Sequence, residues 1–132
     1  MDALHLHLMI NHASIFGYLF SVLLLIASML LHSGLLKRTA LAGLVLSSLI
    51  TLVVFASGDE AGEIAERIPG ISGQAIDAHE EAAEISVWVS SVAGAYFLIA
   101  LYLLWKRTTV PLWMDVVSFL IVASVCISIY RT

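Results

Sequence analysis

The stretch Ile85–Trp105, ISVWVSSVAGAYFLIALYLLW, decides the fold. It contains no charged residue, and it reaches the ~20 residues that a helix needs to cross a ~30 Å hydrocarbon core. Glu80, Glu81 and Glu84 precede it; Lys106 and Arg107 follow it. In lipid only a helix or a closed barrel satisfies its own backbone hydrogen bonds, so an isolated run of this kind reads as a transmembrane helix.

Outward from it lie three more apolar runs, at about Ala13–Leu31, Thr39–Ala56 and Val110–Tyr130. Their only charge is Asp115, within about two turns of the start of the last run. The whole chain of 132 residues is 61% hydrophobic and 12% charged. A water-soluble domain is typically about 45–50% apolar and about 25% charged. The mean hydropathy is +1.00. The sequence therefore predicts an all-α fold: a four-transmembrane-helix bundle in a lipid bilayer, one integral membrane domain over 1–132.

The connections set the topology. His32–Arg38 and Lys106–Thr109 are short, so runs one and two pair antiparallel, as do runs three and four. Lys37, Arg38, Lys106 and Arg107 lie in or beside these turns, and basic residues mark the cytoplasmic side. Both termini and the long connection 58–84 then face outward, in the inner (cytoplasmic) membrane of a bacterium. Trp105 and Trp113 suit the inner boundary, and Trp88 and Tyr130 the outer one. No positive n-region precedes the first run, so a cleavable signal peptide is not expected.

The connection 58–84 is acidic, with Asp59, Glu60, Glu63, Glu66, Asp77, Glu80, Glu81 and Glu84. A short amphipathic surface helix is expected over Asp59–Ile68, stopped by Pro69-Gly70. Ser72 is a candidate cap for a helix running through His79 into the third span. Asp2 is a candidate cap for a helix entering the first.

Four of the five histidines, His5, His7, His12 and His79, gather on this outer face, whereas His32 lies in an inner turn. Spans one and three run the same way, so His79 is level with the N-terminal histidines. Span two delivers Glu60 and Glu63 to the same level. Imidazole with carboxylate suits Zn, Fe, Mn or Cu, which makes His7, His12, His79, Glu60 and Glu63 candidate metal ligands. His7 and His12 fall on different faces of a regular helix, so both join one site only if the chain bends near Met9–Asn11.

An alternative is haem b held by His12 and His79 as an axial pair, for electron transfer. Gly17, Ser90, Ser91 and Gly94 would make room for the porphyrin. Only Arg67 and Arg131 stand on this face to meet its propionates, against nine acids (ten Asp and Glu less Asp115). A third alternative is a small accessory subunit without a cofactor, in a homo-oligomer or beside a membrane-protein partner. Gly17/Ser21, Gly43/Ser47 and Ser90/Gly94 have the small-xxx-small spacing of packed membrane helices. The acidic loop and the interfacial histidines also fit a merely solvated face.

Other chemistry is excluded or unsupported. A net charge of −4 argues against nucleic acid. There is no G-x-S-x-G, no H-E-x-x-H and no Gly-rich phosphate loop, so the sequence leaves open whether the protein is an enzyme. Cys126 stands alone in an apolar run and reads as a buried structural thiol. Asp115 is expected to pair with Lys106 or Arg107.

His7-Leu8-Met9-Ile10-Asn11-His12-Ala13-Ser14, together with Ser57-Gly58-Asp59-Glu60 and His79, resembles the DUF2231 family of four-helix bacterial membrane proteins. That family opens with a His-Pro-x-x-x-His-Phe-Pro-like stretch, carries a Thr-Gly-x-x-Asp-like motif after span two and has a histidine at the start of span three. The resemblance implies a haem or metal role for His7, His12 and His79 but no reaction. Both family prolines are absent, their places taken by Leu8 and Ser14, and with them goes the motif's bend.

Overall fold

The computed structural model describes residues 3–106 and 112–131, which form five helices and, among these residues, no strand. They are α1 (Ala3–Leu30), α2 (Gly34–Ala56), α3 (Gly58–Ala65), α4 (Gly73–Lys106) and α5 (Leu112–Arg131). The Asp2 cap, the turn containing Arg107 and the side chains of Tyr130 and Arg131 lie outside the described residues.

Lipid is the solvent this surface fits. Phe16, Leu19, Phe20, Leu98, Ile99 and Leu120 are exposed, while Ser14, Ser21, Ser47, Ser48, Ser86 and Ser90 are buried. Water would reverse that arrangement. In a bilayer, helix interfaces favour small and hydroxyl residues, because lipid tails are as apolar as Leu. Three helices, α1, α2 and α4, are long and apolar enough to cross a membrane. The apolar part of α5, Trp113–Ile129, is at the short end of the ~17–25 residues that crossing takes. Cys126 is exposed on the side of α5 and not buried, because the seam of that helix runs through Ser118, Val122 and Val125.

The buried positions of α1 are His7, Ser14, Tyr18, Ser21, Leu25 and Ser28, and those of α4 are Ser86, Ser90, Ala93, Phe97, Ala100 and Leu104. Steps of three, four and seven make these heptad seams of slightly crossed helices. α1 packs chiefly on α2, α2 on α4 and α4 on α5, with a thinner α1–α5 contact closing the ring. α1 and α4 are therefore diagonal, as are α2 and α5.

Close approach has a direct cause. A Cβ on Gly17 would collide with Ser47 Oγ, and one on Gly43 with Ser21 Oγ. The two small-xxx-small pairs thus face each other across the α1–α2 interface, antiparallel. Gly94 meets Ser48 in the same way, a Cβ there lying 2.8 Å from the Ser48 Cβ. These pairs serve packing within the chain.

The turn from α1 to α2 is a Schellman motif. His32 adopts φ 49°, Ser33 N–H donates to Ser28 O at 2.9 Å and His32 N–H to Met29 O at 3.4 Å. Ser33 then caps α2 by accepting from Leu36 N–H at 3.4 Å. Ser72 caps α4 as expected, accepting from Ala75 N–H at 3.2 Å, and α4 runs unbroken past His79. The surface helix α3 ends at Ala65, three residues before the expected stop at Ile68.

Asp115 pairs with Lys37 and not with Lys106. Lys37 Nζ is 2.7 Å from Asp115 Oδ2. Lys106 instead lies over the Tyr102 ring, 5.8 Å from its centroid. Arg38 Nη2 donates to Leu104 O at 3.4 Å, meeting an end carbonyl of α4.

Tyr18 is almost fully buried, and its hydroxyl is 2.9 Å from Ser48 Oγ. Ser48 already donates to Leu44 O at 2.9 Å, so Tyr18 is the donor. Tyr18→Phe is expected to lower stability by about 0.6–1 kcal/mol, the range for one such bond between membrane helices. Reversible unfolding by dodecyl sulfate in mixed micelles would measure this, and an unchanged midpoint would show that the bond contributes nothing.

Candidate functional site

α1 is 28 residues, about 42 Å at about 1.5 Å per residue, so it exceeds the ~30 Å core. α4, at 34 residues, exceeds it further. Their N-terminal ends therefore extend beyond the bundle's apolar middle on one side. α3 lies across that end, with Ala61 buried beneath it. Because α1 and α4 are diagonal, the space between their ends is left open. It forms a cavity of about 680 Å³.

Two candidate ligands line this cavity, His7 from α1 and His79 from α4. Burial, and after it the charge of the nearby His79, push the His7 imidazole below its ordinary range. Five carboxylates, Asp59, Asp77, Glu80, Glu81 and Glu84, line it as well, and among the described residues no Lys or Arg does. Its floor carries Ser14, Thr51 and Ser86, with Asn11 above them. Ser14 Oγ and Thr51 Oγ1 are 2.7 Å apart, and Thr51 donates to Ser47 O at 3.0 Å. Ser14 Oγ also donates to Ser47 O at 3.3 Å, so the two hydroxyls share one carbonyl and either can donate to the other.

A similar accounting bears on the His7 tautomer. His7 Nδ1 is 3.0 Å from Ser57 Oγ. Ser57 gives its own proton to Val54 O at 2.8 Å. With that proton on Val54 O, Ser57 accepts from Nδ1–H, the tautomer that leaves the lone pair of the neutral ring on Nε2. A ligand histidine whose far nitrogen donates to a fixed acceptor is the usual arrangement at metal centres.

The other candidates lie elsewhere. α1 is a continuous helix from Ala3 to Leu30, without the bend that would bring His7 and His12 together. His12 is exposed, its Nδ1 2.7 Å from Leu8 O, and it does not line the cavity. Glu60 and Glu63 are exposed on α3 and do not line it. His5 is exposed too. Among the described residues, no group of three or more His, Cys, Asp or Glu is gathered closely enough to hold a metal ion. Asn11, Ser14 and Ser57 were not among the candidate ligands. The spacing 7–11–14–18 marks the inward seam of α1 and would have found the first two.

No protein-family model, curated protein or solved structure matches this chain. The DUF2231 resemblance therefore rests on its motif residues alone.

Proposed function

We propose that this chain is a four-span protein of the bacterial inner membrane, N-out and C-out, that binds a transition-metal ion in its outer cavity. His7 and His79 are the protein ligands. The carrying observation is the His7 ring, its Nδ1 3.0 Å from Ser57 Oγ, in a cavity shared with His79. The acidic lining supports the reading, because a concave site of one sign concentrates ions of the other. It disfavours haem b, whose propionates would meet five carboxylates and, among the described residues, no Lys or Arg.

Titration of the detergent-purified protein with Cu(II), Zn(II) and Co(II), followed by calorimetry and the Co(II) visible spectrum, tests this. One equivalent is expected to bind. His7→Ala and His79→Ala are each expected to weaken it at least ~100-fold, and Ser57→Ala by about 10–100-fold through the ring it orients. His12→Ala is expected to leave it unchanged. Stoichiometric binding that survives loss of both cavity histidines would sink the assignment, and a Soret band in the untreated preparation would favour haem.

A further inference from the structure

Two imidazoles do not complete a coordination shell. Zn(II) takes four ligands, and Cu(II) and Ni(II) take tetragonal sets of four or more. No third protein ligand is gathered with His7 and His79 among the described residues. The remaining positions are open to donors from outside the described residues. Water is one candidate, but the cavity has room for a larger guest as well. An ion with four waters needs roughly 120 Å³, at about 30 Å³ per water, whereas the cavity holds about 680 Å³. That is the size of small-molecule sites, about 300–1,000 Å³.

The walls state what else would fit. Leu8, Phe55, Ile76 and Ile129 line the cavity from four different helices or their flanks, so an apolar body would be in contact on several sides. Among the described residues, the charged part of the lining is acidic, with five carboxylates and no Lys or Arg. An anionic guest is repelled there and a cationic one attracted.

We propose that the cavity takes up a transition metal already bound to an organic chelator, as a cationic complex with an apolar, nitrogen-donor body. His7 and His79 then fill the positions the chelator leaves open. Binding forms two metal–imidazole bonds and releases two metal-bound waters, with no change in oxidation state. The proposal rests on the metal reading above and names the guest of the same cavity.

The test uses the full chain in detergent and three probes: aqueous Cu(II), the dicationic 1:1 complex of Cu(II) with 1,10-phenanthroline, and the anionic complex of Cu(II) with nitrilotriacetate. The phenanthroline complex is expected to bind at least ~10-fold more tightly than aqueous Cu(II). Its electron paramagnetic resonance spectrum should show four nitrogens, two of them lost in the double variant His7→Ala/His79→Ala. The nitrilotriacetate complex should bind at least ~10-fold more weakly than the phenanthroline complex. Phe55→Ser and Leu8→Asn should weaken the phenanthroline complex and leave aqueous Cu(II) unaffected. Equal affinity for aqueous and chelated Cu(II), or equal affinity for the cationic and anionic complexes, overturns the chelate proposal and leaves the metal site standing. Failure of every probe overturns both.

Discussion

Asp115→Asn is expected to destabilise the folded protein by about 3–5 kcal/mol, the cost of breaking a buried ion pair and stranding one partner. The Asp115 side chain is 8% exposed and that of Lys37 16%, so little water is at hand to replace the lost contact. Geometry raises the stakes. No Cα of α2 lies within 8 Å of one in α5 among the described residues, and the 2.7 Å Lys37–Asp115 contact reaches across that diagonal. Apart from it, α5 is held by α4 and by a thinner contact with α1. The single variant should therefore loosen α5 before the rest of the bundle. Thermal unfolding in detergent would measure the loss, and hydrogen exchange should show α5 opening first. The exchanged pair Lys37→Asp/Asp115→Lys should recover most of the stability. Each charge begins a helix, so the exchange moves Asp to the favourable N-terminus of α2 and Lys to the unfavourable one of α5, and these dipole effects nearly cancel. A double variant as unstable as the single one would mean that the pairing itself is not what matters.

Asp115 also shows where sequence reading stops. A lone carboxylate near the end of an apolar run needs a cation, and four basic residues lie in or beside the two short connections. Proximity in sequence favours Lys106 and Arg107. The ring order of the helices, invisible in one sequence, brings Lys37 instead. What depended on length and local chemistry was legible: the helical class, the antiparallel hairpins, the Ser72 cap and the passage of α4 through His79. The Schellman turn at His32 was not, because a histidine in the left-handed region carries no signal as strong as glycine.

The candidate site divides along the same line. His7 and His79 were legible as level with each other, and they share the cavity. His12, Glu60 and Glu63 were brought in by depth alone, and depth does not fix which way a helix face turns. The buried seam does, but in lipid it is written in Ser and Tyr as much as in Leu. A hydrophobicity pattern tuned to water does not register it. The five lining carboxylates sat within an acidic run whose solvated and cavity-facing members differ only once α3 is in place.

The variant Gly17→Leu/Gly43→Leu is expected to cost about 2–6 kcal/mol, at about 1–3 kcal/mol for each overpacked position. At both glycines the first atom added collides with a serine Oγ of the facing helix. Rotating the hydroxyl away gives only partial relief. The Ser21 Cβ would still lie 3.3 Å from a Cβ on Gly43, and the Ser47 Cβ 3.5 Å from one on Gly17. The rest of a leucine has no room unless α1 and α2 separate. Separation along this interface also draws His7, on α1, away from Ser57, at the end of α2. The proposed metal affinity should fall together with stability, although neither glycine lines the cavity. Gly34→Ala is the control, since a Cβ there meets nothing within 4 Å. Loss of a mobile glycine within α2 should be neutral or stabilising by up to about 1 kcal/mol. Dodecyl sulfate unfolding of the three proteins separates the two causes. If the double leucine variant unfolds with the Gly34→Ala control, the α1–α2 contact is not close-packed through these residues. If it unfolds early while still binding metal at full affinity, Ser57 does not position His7.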